Sequence, residues 1–161
     1  MEILEIKQVN DALAEMVALF RVELRSYKGI KSKPNIEAGR EEMEEYLSAK
    51  FPVYAALVDG EYAGYVVCRV DSEVVWVESI FVKEEYRRHG VATALHSKAE
   101  EIAASYGDDT VYNYVHPNNH RMIEFLRKRG YTVLNLIEIR NPYKDEKLTQ
   151  TIAVGEHEFD Y

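Results

Sequence analysis

The sequence predicts a mixed α/β (α+β) domain, a single largely antiparallel sheet with helices on both faces, and three observations carry that prediction. Three β-rich runs follow one another between residues 53 and 82 with only short turns between them. After Val82 the apolar spacing changes from two to about 3.6, and strand and helix patterns then alternate up to Arg140. The meander requires antiparallel pairing and the later strand–helix–strand units require parallel pairing, so the sheet must be mixed.

Each element has its own signal. Leu4 and Ile6 alternate with Glu5 and Lys7, which suggests a short opening strand. Asn10 can cap a helix whose apolar positions are Leu13, Met16, Val17, Phe20 and Leu24. Residues Ser26–Pro34, with Gly29, Lys28, Lys31 and Lys33, read as a loop, and Asn35 can cap a second helix carrying Met43, Tyr46 and Leu47 to about Lys50. Pro52 ends that pattern. The strands Val53–Val58, Tyr62–Val70 and Val74–Val82 are divided by a hairpin turn at Asp59-Gly60 and by Asp71-Ser72. Val91, Leu95, Ala99, Ile102 and Tyr106 share one face of a helix from about Gly90 to Tyr106. Val111–Val115 reads as a strand, Asn118–Arg129 as a helix ended by Gly130, and Val133–Arg140 as another strand. The tail Leu148–Phe159, interrupted by Gly155, reads as one more strand or a hairpin. With neither an internal repeat nor a long linker in the 161 residues, one domain spanning 1–161 is expected.

Composition narrows the function classes. Lys and Arg number 20 against 28 Asp and Glu, a net charge of −8, which disfavours general attraction to nucleic acid or to an anionic membrane. The single cysteine, Cys68, lies in an apolar run and leaves no intramolecular disulfide framework. The charged, alternating start is unlike a signal peptide and no stretch approaches a membrane span, so a cytoplasmic location is expected. The eight glycines supply neither G-x-G-x-x-G nor a Gly-Lys pair, which removes dinucleotide and P-loop readings. There is no G-x-S-x-G elbow, and His116 and His120, separated by Pro117 and two asparagines, make a poor zinc pair, so no metal is expected.

What remains is the stretch from Glu78 to Leu95, a strand that passes through a charged loop into a helix. Free N–H groups at a helix start and the positive end of the helix dipole can hold phosphate oxygens. Gly90 and Ala92 let a ligand approach the backbone, and Arg87, Arg88 and His89 add local positive charge. Solvated arginines before an ordinary helix would look the same, and the physics alone leaves both readings open.

Arg87-x-x-Gly90-x-Ala92, after a strand and opening a helix, resembles the [QR]-x-x-G-x-[GA] signature of the GNAT superfamily of N-acetyltransferases. The strand Val74–Val82, the loop Glu84-Glu85-Tyr86-Arg87-Arg88 and the segment Asn119–Tyr131 are also similar to successive family motifs, so the likeness covers roughly residues 53 to 140. The resemblance implies an acetyl-CoA-dependent enzyme that transfers acetyl directly to an amine in a ternary complex. The acceptor would be a small-molecule amine or a peptide amine. Arg87, Arg88, His89, Gly90, Val91, Ala92 and Thr93 would surround the cofactor phosphates, and the backbones of Ile80, Phe81 and Val82 would pair with its pantetheine arm. Asn119 would contact the cofactor, though it would equally serve as a helix cap, and Phe125 would lie against the cofactor beside it. Glu78 matches a position that carries a catalytic glutamate in some members, and a solvent-facing or salt-bridged Glu78 is the alternative. The chain departs from the pattern at Leu126, where many members have the tyrosine that meets the leaving thiolate. That departure supports a second reading, a GNAT-like acyl-CoA-binding or sensor module without catalysis. The strand-forming tail makes a homodimer a further expectation.

Overall fold

The computed structural model describes residues 1–108 and 110–161. A five-stranded sheet runs in the order β1 (Glu2–Glu5), β2 (Val53–Val58), β3 (Glu61–Asp71), β4 (Val74–Val82) and β5 (Tyr112–Asn113). The first four strands are antiparallel and β5 joins β4 in parallel, which is the mixed sheet that the sequence predicts. Both meander turns close on two residues with left-handed backbone, Asp59 with Gly60 and Ser72 with Glu73, a twist that suits tight hairpins. The second turn therefore sits one residue later than Asp71-Ser72.

Helices α1 (Asp11–Ser26) and α2 (Ile36–Ser48) cover one face of the sheet. Their caps are those expected: the Asn10 side chain accepts from Leu13 N, and that of Asn35 from Ala38 N. Leu13, Met16, Val17 and Met43 pack there on Tyr65, Val67 and Phe81. Helix α3 (Val91–Ser105) covers the other face, placing Val91, Leu95, Ala99 and Ala103 on Val66, Cys68, Val75 and Val77. Burial pushes the Cys68 thiol up to about 12, so it stays protonated and inert.

Helix α4 spans His120–Lys128, one turn at most shorter than the sequence suggests. Two expectations fail. The strand Val111–Val115 shrinks to the two residues of β5, because β4 and β5 diverge after one pair of register positions. Residues 133–140 form no strand among the described residues and stand exposed, because the chain leaves the packed body at Tyr131 and meets no sheet edge there. The tail does form a hairpin, β6 (Thr151–Val154) and β7 (His157–Asp160), turning at Gly155, as a separate two-stranded sheet. No helix among the described residues is long and apolar enough to cross a membrane.

His96 is the buried titratable group of α3. Its Nε2 lies 3.2 Å from Asn113 Oδ1, its Nδ1 lies 3.4 Å from Glu100 Oε1, and the edges of Phe125 and Tyr131 close around the ring. Burial holds its pKa below the ordinary imidazole value, so the folded state stays neutral after the unfolded chain has taken up its proton. Stability is then lost as pH falls from about 6.5, the unfolded value, toward the lower folded one. Urea titrations are expected to show a falling unfolding free energy between about pH 7 and 5. The slope should flatten in His96→Gln, with a remainder from His116, which burial and then Lys28 shift the same way. An unchanged slope in the variant would remove His96 as the source.

Candidate functional site

Glu78 is the extra residue of a β-bulge: Val67 faces Ser79 and Cys68 faces Val77, leaving Glu78 between them. The bulge resets the alternation of β4. Val75 and Val77 point toward α3, whereas Ser79 and Phe81 point toward α1 and α2. Glu78 leaves the strand half-exposed and accepts from Arg69 Nε at 3.0 Å, while the Arg69 guanidinium stacks 4.3 Å over Trp76. The salt-bridged alternative is thus the arrangement observed.

Beyond Val77 the outer edge of β4 is open, since β5 pairs only with Trp76 and Val77. Lys83 N donates to Ala63 O, so by the alternation of the strand Phe81 also turns its main-chain groups toward β3, and Ile80 and Val82 turn theirs into the gap. Of the three backbones expected to meet a pantetheine arm, two face the right way. Phe81 instead packs edge-on against Phe20 as a core residue.

The gap ends at the loop before α3. A single 3-10 turn, Glu84–Tyr86, leads to Arg88 at φ +68° and Gly90 at φ +81°, and Gly90 is the N-cap residue of α3. The first helical bond runs from Ala94 N to Gly90 O, so the amides of Val91, Ala92 and Thr93 have no intrahelical acceptor. No side chain caps this helix start among the described residues, and a Cβ built on Gly90 would meet no atom within 4 Å. Val91 is buried, whereas Arg88, His89, Gly90 and Thr93 are exposed around the same turn. Left-handed residues one apart aim successive N–H groups into one concavity, an anion nest at the positive end of a helix dipole.

Arg87 has a different task. Its Nε donates to Val82 O at 2.8 Å and its Nη2 to the Glu23 carboxylate at 3.2 Å, fastening the loop to the end of β4 and to α1. Arg121 of α4 donates to the same carboxylate. Asn118 Nδ2 adds a bond to Tyr27 O at 2.9 Å, so α1, the loop and the start of α4 are held together around the open gap. Asn119 caps α4, accepting from Met122 N at 3.1 Å. Phe125 lies against His96, and Leu126 is buried, so the usual tyrosine position points into the core.

The sequence reading missed a polar cluster on the α1/α2 face. Arg21 Nε and Nη2 donate to Glu42 at 2.6 and 2.5 Å, and Tyr46 OH donates to Glu42 at 2.6 Å. Tyr65 OH and Ser79 Oγ lie 2.8 Å apart nearby, fully buried. Burial and then the Glu42 hydrogen bond push the Tyr46 phenol well above its ordinary value. The spacing of Glu42 and Tyr46, four apart on α2, was the available signal. A cleft of about 430 Å³ adjoins this cluster, lined among others by Arg21, Leu24, Arg25, Lys28, Glu42 and His116.

A strand edge opened beside a parallel neighbour and running into an unshielded helix start defines a class of mixed α/β fold able to take an amide-bearing arm along the strand and a phosphate at the helix. A family model described as the acetyltransferase (GNAT) family matches residues 16–131, and the chain belongs to that family. An uncharacterized N-acetyltransferase of Methanocaldococcus jannaschii is 33% identical over 81 residues, which cover 46% of this chain and 36% of that one. An N-alpha-acetyltransferase of Sulfurisphaera tokodaii is 30% identical over 122 residues, 65% of this chain and 68% of that one. The matches thus span little more than a third of the first relative and about two thirds of the second. Among solved structures, the aminoglycoside acetyltransferase AAC(6')-Iy with the bisubstrate analog CoA-S-monomethyl-acetylneamine superposes at TM-score 0.64, with 21% identity over 88% of this chain and 97% of that one. The aminoglycoside antibiotic 6'-N-acetyltransferase AAC(6')-IG from Acinetobacter haemolyticus gives 0.64, with 19% identity over 90% and 100%. At these identities the structures attest the fold.

Proposed function

We propose that the chain, acting over 1–161 as one acetyltransferase domain in the cytoplasm, transfers acetyl from acetyl-CoA to an amine within a ternary complex. The observation that carries this reading is the free edge of β4 at Ile80 and Val82, which leads directly to the unpartnered amides of Val91–Thr93. The edge suits an arm of amides added as a strand, and the helix start suits phosphates. The open space above Gly90 leaves room for them.

Acetyl-CoA supplies the activated acetyl group as a thioester. The chain's residues hold the partners and move the proton. Glu78, at the bulge beside the open edge, would take a proton from the acceptor amine directly or through water once Arg69 yields it. With Leu126 buried, the departing thiolate leaves without a tyrosine at that position, which is tolerable for a group whose reference pKa is about 8.5. The remaining acceleration comes from holding amine and thioester together. The acceptor, a small-molecule or peptide amine, would enter the cleft between α1 and α2. Its local charge runs against the net −8: Arg25 and Lys28 line it, and Arg21 there is already matched by Glu42. Cations beside an amine favour its neutral, nucleophilic form.

Calorimetric titration with acetyl-CoA, with ATP and NAD as controls, tests the cofactor site. Binding of about −8 kcal/mol or better for acetyl-CoA alone supports it, and its absence defeats it. Glu78→Gln tests the chemistry. The amine-dependent rate should fall roughly 10²–10⁴-fold with little change in acetyl-CoA affinity. Binding without any amine-dependent turnover in the parent protein would favour the acyl-CoA-binding or sensor reading, for which the buried Leu126 is the supporting observation.

A further inference from the structure

We propose that the acceptor is an amine that also carries an acid group, a carboxylate or a phosphate, and that Arg25 and Lys28 hold that group at the exposed end of the cleft between α1 and α2. The proposal rests on the acetyl transfer proposed above and names the class of amine. Residues 24–35 contain Arg25, Lys28, Lys31 and Lys33 and neither Asp nor Glu, in a chain whose net charge is −8. Arg21, Arg25 and Lys28 follow one another at intervals of four and three, so they come to one side as α1 ends. All three line the cleft of about 430 Å³, together with the small residues Ala18, Ala38 and Gly39, which leave room for the body of a ligand.

The cleft keeps no acid in reserve for a purely cationic amine. Glu42 is the carboxylate of its lining, and it is already committed: Oε2 accepts from Arg21 Nε, and Oε1 accepts from Arg21 Nη2 and from Tyr46 OH. Arg25 and Lys28, by contrast, form no ion pair among the described residues. Glu23, on the same helix, is taken by Arg87 and Arg121. Glu146 is clasped by Arg140 at 2.7 and 2.9 Å, which does most to keep its carboxyl ionised, and Lys28 adds a smaller contribution from farther off. The last turn of a helix favours a cation, which accounts for Arg25, but Lys28 lies beyond α1. His116 supplies a third donor to the lining. Its Nδ1 accepts from Asn118 N at 3.1 Å, so Nε2 carries the ring hydrogen, and burial and then Lys28 favour the neutral ring. The imidazole stacks on Tyr27 at 6.1 Å, which holds it in place.

The order of charges along α1 sets the orientation. At the helical rise, Arg25 and Lys28 stand roughly 6 and 10 Å beyond Arg21. The inner end of the series is the Arg21–Glu42–Tyr46 cluster, near enough to β4 that the Glu78 charge contributes, after burial and Glu42, to raising the Tyr46 phenol. An acceptor laid along the cleft therefore gives its acid to Arg25 and Lys28 and turns its amine inward, toward Glu78. A guanidinium fork beside an ammonium suits the oxygens of a carboxylate and of a phosphate alike. The net charge of the chain attracts amines of every kind, and the cleft selects those that bear an acid as well.

The test titrates the full chain, alone and with saturating CoA, with two matched pairs of amines: glycylglycine against glycylglycinamide, and 2-aminoethyl phosphate against ethanolamine. NMR signals of the Arg25 side chain and the His116 ring report the site. The acid-bearing member of at least one pair is expected to bind about tenfold or more tightly than its counterpart, and the pair that discriminates tells carboxylate from phosphate. In the double variant Arg25→Gln/Lys28→Gln that binding should weaken roughly ten- to hundredfold. Its melting temperature should hold, since neither side chain has an ion-pair partner to lose. Acid-bearing members that bind no better than their counterparts in both pairs overturn the proposal. So does a failure of all four amines to bind, or a variant that binds as the parent does. The transfer reading fails separately, by the absence of acetyl-CoA binding in calorimetry, which removes the acceptor role while the selectivity of the cleft for acids still shows.

Discussion

Gly90→Val is expected to weaken acetyl-CoA binding by at least about tenfold, or 1.4 kcal/mol. Gly90 sits at φ +81°, and a Cβ there meets nothing within 4 Å, so the effect is torsional rather than steric. A non-glycine residue in the left-handed region costs about 1–3 kcal/mol, and a β-branched one fits it worst. The chain can keep the bend and lose stability, or relax it and rotate the amides of Val91–Thr93 away from their common focus. The second route damages the anion nest while the cores on both faces stay intact, and it is the one expected. Calorimetry beside thermal melting separates the two routes: undiminished affinity with a lowered melting temperature would mean that the bend is kept, and undiminished affinity with an unchanged melting temperature would show that the phosphates are held elsewhere.

Gly39→Val should give the largest loss of stability from a single surface-distant change in α2. A Cβ on Gly39 would stand 2.3 Å from Ala14 O and 3.0 Å from Ala18 N, both rigid backbone atoms of α1. The two helices touch at this point without side chains between them, so a valine must drive them apart. Overpacking of this kind costs about 3 kcal/mol, occasionally more, which lowers the melting temperature by roughly 6–12 °C for a chain of this size. The cleft lies between the same helices, and Arg21 and Glu42 line it from opposite sides. The amine KM should therefore rise while acetyl-CoA affinity holds. Retained melting temperature would mean that α2 can slide along α1 at no cost.

The parts of this molecule that the sequence announces are those specified by local rules. Asn10 and Asn35 cap as expected, Val53–Val58 and Val74–Val82 are strands to the residue, and Gly90 takes the left-handed conformation at the helix start. Each depends on a cap, an alternation or a turn that a few neighbours decide. Arg87 shows where local reading ends: its motif position suggested a phosphate ligand, but Glu23, 64 residues away, and Val82 O claim it. Glu42, and its union with Arg21 and Tyr46, was equally invisible, because only the packing of α1 on α2 brings Arg21 to the other two. Residues 133–140 have the pattern of a strand, and a strand needs an edge, which nothing in the segment itself can provide.

The bulge at Glu78 also makes that residue an insertion. Deleting it would join Val77 to Ser79 in unbroken alternation, and Ser79, Ile80, Phe81 and Val82 would each keep their present face and their partner on β3. The Tyr65–Ser79 contact and the grip of Arg87 on Val82 O would survive, while Arg69 would lose its carboxylate. The reversal comes from the opposite change: absorbing Glu78 into regular pairing would turn Ser79 and Phe81 to the α3 side and Ile80 and Val82 toward α1. The bulge is thus the device by which the strand carries one extra carboxylate without disturbing the two cores on either side of it.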